Sequence, residues 1–166
     1  LPNANVSVYL IKHNFFKDKT IYSNTLAGSK KDTDKFAFFA KAILDNIKAI
    51  NFSPDIIHLN DWHVAKVARL LKTTYKDEQH FKNTKTVFTI HNLANQGITE
   101  NKNYMAEGIL NSDVITTVSP TYAKEILTKE YGAGLDKILT KRKNNLYGIL
   151  NGIDIDFFNP VNDNFI

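Results

Sequence analysis

Short apolar runs rich in β-branched residues alternate along this chain with stretches whose apolar residues recur at helical spacing. Residues 6–11, 55–59, 85–90, 114–118 and 146–150 read as strands. Phe36, Phe39, Ala40, Ile43, Ile47 and Ile50 line one face of a helix that Asp32 or Asp34 would cap. Val64, Val67, Ala68 and Leu71 mark a second helix with Asn60 or Asp61 as cap, and residues 104–110 form a short third. Ser119-Pro120 puts Ser at the N-cap and Pro at the first helical position of a fourth, running to about Thr128. A fifth spans 135–142, and 28–31 and 97–103 read as loops. Strand–helix alternation of this kind predicts right-handed βαβ units: an α/β fold with a Rossmann-like parallel sheet and helices on both faces. The strands are apolar throughout, as expected of a sheet buried on both faces.

A chain of 166 residues suits one domain, and a hydrophobic content of 43% is enough to build its core. The absence of Cys excludes disulfides, Cys-ligated zinc, iron–sulfur clusters and a thiol nucleophile. The net charge of +4 falls well short of a nucleic-acid-binding arm. Lys30, Lys31, Lys35, Lys137, Lys141 and Lys143 read as solvated faces without interleaved aromatics, so no nucleic-acid partner is expected. No apolar run reaches the roughly 18–20 residues needed to span a bilayer, and no signal-type N-terminus is present, so no membrane partner is expected either. His58 and His63 are not spaced as the i, i+4 pair of a zinc protease and no third ligand is marked, so no metal is expected. The chain opens on Leu1-Pro2 without Met, which is the look of a piece of a longer protein.

Ligands of open α/β sheets bind outside the carboxyl ends of the strands. The residues at those positions are Lys12-His13, Asn60-Asp61-Trp62-His63, His91-Asn92, Ser119 and Asn151-Gly152. Asn and neutral His each donate and accept hydrogen bonds, a pairing that suits a polyhydroxylated ligand such as a sugar. The paired carboxylates of a hydrolase and a Gly-rich phosphate loop are both missing from these positions. A helix N-terminus disfavours the imidazolium, so His63 should be neutral. Each group also has a plain structural reading. Asp61 and Ser119 would serve as caps, Trp62 as core or pocket wall, and His58 as a satisfied strand residue. His91-Asn92 and Asn151-Gly152 would be turns.

Several runs resemble one family. Asp55-Ile56-Ile57-His58-Leu59-Asn60-Asp61-Trp62-His63 is similar to the strand and turn of bacterial glycogen synthases and plant starch synthases, whose pattern ends His-Asp-Trp-His. Residues 87–97 resemble the family's Phe-Thr-Ile-His-Asn-Leu-Ala-Tyr-Gln-Gly, and 117–126 its Thr-Val-Ser-Pro-Thr-Tyr-Ala segment. Residues 147–154 match Gly-Ile-Leu-Asn-Gly-Ile-Asp, Asn159-Pro160 follows in place, and 32–39 resemble the family's Asp-Asn…Arg-Phe…Phe-Phe stretch. Asn60 stands where the family has His, Asn95 where it has Tyr, and the stretch from Gly97 to Tyr104 is shorter than in most relatives.

The resemblance implies a retaining glucosyltransferase of GT-B fold that extends an α-1,4-glucan from a nucleotide-glucose donor, ADP-glucose, with no further cofactor. Residues 1–158 would be part of the N-terminal, acceptor-side domain and 159–166 the start of an inter-domain linker. The donor-phosphate segment and the nucleotide-binding C-terminal domain would lie outside, leaving the isolated chain inactive. Alternatives are a non-catalytic glucan-binding module or a transferase of the same architecture using another nucleotide sugar. By resemblance His63 and Asn151 hold the donor glucose as catalytic residues, while His91, Asn92, Gln96 and Asp61 line the substrate cleft. The compartment implied is the bacterial cytoplasm or a plastid stroma.

Overall fold

The computed structural model describes residues 6–17, 20–22, 29–155 and 157–161. Its long helix α1 covers Lys30–Ala49. There follow β1 (Ile56–Asn60), α2 (Trp62–Lys72), β2 (Lys85–Ile90), β3 (Ile98–Thr99), β4 (Lys102–Asn103) and α3 (Tyr104–Asn111). β5 (Val114–Thr117), α4 (Pro120–Glu125), α5 (Asp136–Lys141) and β6 (Leu146–Gly148) complete the order. Four strands form one parallel sheet in the order β1-β2-β5-β6, and β3 pairs antiparallel with β4. The result is the expected Rossmann-like α/β arrangement of a parallel sheet flanked by helices.

The core lies between the helices and one face of this sheet. Ile57, Leu59, Phe88, Ile90 and Ile115 point into it from the strands and meet Ala40 and Leu44 of α1, Trp62, Ala65 and Ala68 of α2, and Met105 and Ile109 of α3. Each large side chain so buried contributes about 1.5–3 kcal/mol. α3 comes close enough to β2 that a Cβ on Gly108 would lie 2.6 Å from the Phe88 ring.

Several expectations are corrected. Residues 6–11 form no strand: their backbone pairs with none among the described residues, and Val6, Val8 and Leu10 are exposed. An apolar β-branched run becomes a strand only where a neighbour takes up its N–H and C=O groups. The cap of α1 is Ser29, whose Oγ accepts from the Asp32 N–H, rather than Asp32 or Asp34. The same hydroxyl also donates to the Asp32 carboxylate at 2.6 Å. β1 alternates instead of being buried on both faces: Ile56, His58 and Asn60 face outward, Ile56 with 61% of its surface exposed. β1 is an edge strand here, and the polar chain His58–Thr89–Thr116, with links of 2.6 Å each, runs across the face it shares with β2 and β5. The 97–103 loop is partly a tight hairpin. Gly28 and the polar residues Asn162-Asp163-Asn164 lie outside the described residues.

Candidate functional site at the carboxyl edge of the sheet

Because β1, β2, β5 and β6 are parallel, their carboxyl ends share one edge. The ladder continues past the strand ends, with the Asp61 N–H donating to the Thr89 carbonyl at 3.0 Å and the Ile149 N–H to the Thr117 carbonyl at 2.8 Å. The turns carrying Asp61, His91, Ser119 and Asn151 therefore emerge on the same side of the molecule.

Asp61 stands at the N-cap position of α2 but caps nothing in its own helix. Its carboxylate instead accepts from the backbone N–H groups of His91, at 2.8 Å, and Asn92, at 3.4 Å. The backbone there has φ 57° and ψ −179°, a region that L residues rarely occupy. The strained turn aims the carboxylate across to β2. The His91 imidazole Nε2 donates to the Asn60 side-chain carbonyl at 3.0 Å, and the Asn92 side chain accepts from the Ala94 N–H at 2.9 Å. Asn60, Asp61, His91 and Asn92 thus form one connected group, with His91 and Asn92 exposed at the rim.

His63 sits in the first turn of α2, half-buried. Its ring stacks on Trp62 with centroids 4.4 Å apart and meets the edge of Phe36 at 4.7 Å. Its Nε2 is 2.8 Å from the Tyr22 hydroxyl. Burial pushes the His63 imidazole below the ordinary histidine range; the Asp61 carboxylate opposes this and the Lys35 ammonium adds to it. Burial, then the carboxylates of Asp61 and Asp32, push the Tyr22 phenol up. The phenol therefore keeps its proton and the imidazole is neutral, with Nε2 engaged by Tyr22 and Nδ1 left over. Trp62 is 1% exposed, and its indole N–H has no hydrogen-bond partner among the described residues.

Gln96 is spent on the scaffold. It is 8% exposed, its amide N–H₂ donates to the Ala133 carbonyl at 2.9 Å, and its side-chain oxygen accepts from Asn103 at 2.5 Å. That geometry ties the 96–103 turn to the 133 loop. Asn151 lies three residues past β6, exposed, and its side chain makes no hydrogen bond among the described residues. β1 and β6 are three strand spacings apart, about 14 Å. His63 and Asn151 share an edge without touching each other.

Ser119 is the N-cap expected, accepting from the Tyr122 N–H at 2.9 Å. His58 satisfies its Nε2 on Thr89 at 2.6 Å. Lys35 corrects the reading of a solvated face: it is 5% exposed, its ammonium 3.5 Å from the Asp32 carboxylate and bonded to the Ile21 carbonyl. Tyr22 and Lys35 are the residues that sequence reasoning missed. Lys35 carried a signal, since it lies one residue before Phe36 at the border of the apolar face. Tyr22 carried none, because its partner lies 41 residues on. A cleft of about 470 Å³ between the start of α1 and the β3–β4 hairpin, lined by Thr33, Asp34, Asn101 and Tyr104 among others, lies apart from these residues.

A family model described as starch synthase catalytic domain matches residues 1–141. The chain belongs to the starch synthase catalytic-domain family. Glycogen synthase of Thermodesulfovibrio yellowstonii is 42% identical, the match covering 99% of this chain and 38% of that protein. Glycogen synthase of Thermotoga maritima is 40% identical over 100% of this chain and 38% of its own length. The chain thus spans 38% of the length of these relatives. A solved structure described as the catalytic domain of starch synthase IV from Arabidopsis thaliana bound to ADP and acarbose superposes with a TM-score of 0.73 at 33% identity, covering 84% of this chain and 34% of that one.

Within this starch synthase fold, Asn151 lies beyond the residues the family model matches but inside the glycogen synthase alignments. The first of those alignments runs over 189 positions against 166 residues here, so at least 23 positions of the relative have no counterpart. No helix among the described residues is long and apolar enough to cross a membrane.

Proposed function

We propose that this chain is the acceptor-side part of a glucosyltransferase that moves glucose from a nucleotide-glucose donor, ADP-glucose, to the non-reducing end of an α-1,4-glucan with retention. The observation that carries this reading is the alignment with glycogen synthases over practically the whole chain. The edge chemistry supports it. A neutral His63 whose Nε2 is engaged by Tyr22 has Nδ1 left for a sugar hydroxyl, and Asn151 extends an unengaged carboxamide from the same edge. His91 and Asn92 border the acceptor path between them.

Cleaving the bond from sugar to diphosphate builds an oxocarbenium-like centre and a leaving group with growing negative charge. Asp61 does not serve as a nucleophile, because its carboxylate is committed to the His91 and Asn92 N–H groups. Attack on the face from which the diphosphate departs then needs orientation and charge stabilisation rather than a covalent intermediate. His63 and Asn151 supply the orientation. The cations that neutralise the diphosphate belong to the remainder of the protein, including a C-terminal nucleotide-binding domain beyond the linker that begins near 159. Ile149, Leu150, Ile153, Ile155, Phe157 and Phe158 are all at least 60% exposed, an apolar surface of the kind that another part of the same molecule covers.

The test is incorporation of labelled glucose into glycogen by the full-length protein, with ADP-glucose and UDP-glucose compared and the product anomer assigned by NMR. His63→Ala and Asn151→Ala should each lower kcat by 10²-fold or more, as loss of a positioning contact does. The 166-residue chain alone should show no turnover. Glucan retention without transfer in the full-length protein would instead favour a binding module.

A further inference from the structure

Lysines on the first turns of a surface helix ordinarily face water, yet Lys35 is almost wholly buried. Its ammonium has three partners. The Asp32 carboxylate lies 3.5 Å away, the Ile21 carbonyl accepts a hydrogen bond, and the Phe36 ring face lies 5.2 Å below. Asp32 is itself fully buried and is braced by the Ser29 hydroxyl. A buried ammonium is heavily unfavourable unless such partners are kept. Lys35 is therefore a fixed post on α1, and the chain segment ahead of the helix hangs from it through Ile21. The next residue, Tyr22, places its hydroxyl 2.8 Å from His63 Nε2 and its ring beside Phe36 and His63. A bond of 2.7 Å from the Thr20 hydroxyl to the Tyr22 carbonyl closes the turn.

We propose that Lys35 is a positioning residue for His63, acting by holding the Ile21–Tyr22 segment so that the Tyr22 hydroxyl fixes the imidazole. The proposal rests on the reading that His63 binds the transferred sugar. The charged groups that act on that ring are Asp61 at the N-cap of α2 and Lys35 on α1, and the titratable Tyr22 phenol bonds it directly. Asp61 favours the imidazolium, whereas burial and Lys35 favour the neutral form. Loss of Lys35 removes one influence against protonation and releases Tyr22. The ring then both gains proton affinity and loses its fixed orientation.

The experiment is an NMR titration of the His63 ring in the full-length protein, its resonance assigned by its absence in His63→Gln, alongside steady-state kinetics. Lys35→Met should raise the pH at which His63 titrates and lower kcat about tenfold or more, with KM for glucan little changed. Lys35→Arg keeps charge and donors and should restore both. Tyr22→Phe should lower kcat without moving KM. If Lys35→Met does not fold because buried Asp32 loses its counter-charge, the paired variant Lys35→Met with Asp32→Asn removes both charges and should show the same loss of kcat. An unchanged His63 titration together with full kcat in a folded Lys35 variant overturns the proposal. Full kcat in His63→Gln would overturn the sugar-binding role of His63 instead, and a shifted titration would still stand beside it.

Discussion

Gly97 lies flush against the indole of Trp62: a Cβ at that position would come within 2.1 Å of the ring atom Cε3. The glycine also has φ +62°, where a side chain costs energy even in open space. Trp62 cannot withdraw easily, since it is 1% exposed and wedged between Phe36 and His63. Gly97→Ala should therefore destabilise the fold by about 2–4 kcal/mol, combining overpacking with backbone strain. Urea unfolding would read this as a lower midpoint with an unchanged slope. A midpoint equal to that of the parent would mean that the indole moves aside.

Asp61 fastens the β1 turn to the β2 turn through two N–H groups. Asp61→Ala leaves those exposed donors to water and should cost about 0.5–1.5 kcal/mol, the net worth of an ordinary hydrogen bond. Asp61→Asn keeps an acceptor oxygen, and Asn tolerates positive φ better than most residues, so most stability should return. Because the Asp61 carboxylate raises the proton affinity of His63 against the effect of burial, Asp61→Asn should also lower the pH at which that ring titrates. Chemical denaturation and histidine NMR together check both outcomes.

The scaffold was legible where local chemistry decides it. β2 begins and ends where its apolar run does, and Ser119 caps α4 as its Ser-Pro signature requires. The edge residues followed from topology alone, since a parallel sheet must bring 60–63, 91–92 and 149–152 to one side. What could not be read was which hydrogen bonds those residues had already spent. Gln96 and Asp61 look like ligand-facing residues in a linear sequence, and the fold uses both as struts. Residues 6–11 have strand composition, but composition does not supply a neighbour. Tyr22 meets His63 across 41 residues of sequence, for which periodicity offers no rule, whereas Lys35 and Asp32 are an i, i+3 pair on α1.

His63 gives the fold a pH dependence of definite sign. Its proton affinity in the folded state is depressed below the value of an unfolded chain, mainly by burial. The unfolded state therefore binds more protons as pH falls through about 6.5, the ordinary histidine range, and stability drops there. The contribution is complete above that range and declines toward the lower, folded-state value. Thermal unfolding between pH 8 and pH 5 should show a falling Tm, and His63→Gln should flatten that fall. An identical slope in the variant would assign the acid sensitivity to other groups.

Arg142, just past α5, gathers backbone carbonyls from the last turn of α3 and the two residues after it. Its guanidinium donates to Leu110 at 3.2 Å, Ser112 at 2.6 Å and Asp113 at 3.3 Å. These are end-of-helix acceptors with no partner inside the helix, and a cation also suits the negative end of α3. The turn they stabilise leads directly into β5, which Asp113 further pins to β2 by accepting from the N–H and hydroxyl of Thr86 at 2.8 and 2.9 Å. Arg142→Ala should cost about 2–3 kcal/mol, the range for hydrogen bonds to a charged group, because Ser112 is fully buried and its carbonyl gains no water. Arg142→Lys restores charge without the planar fork and should recover only part of the loss. Hydrogen exchange at the β5 amides supplies the local check: faster exchange in Arg142→Ala there than in α1 would place the damage at this turn, whereas a uniform increase would place it in the global stability.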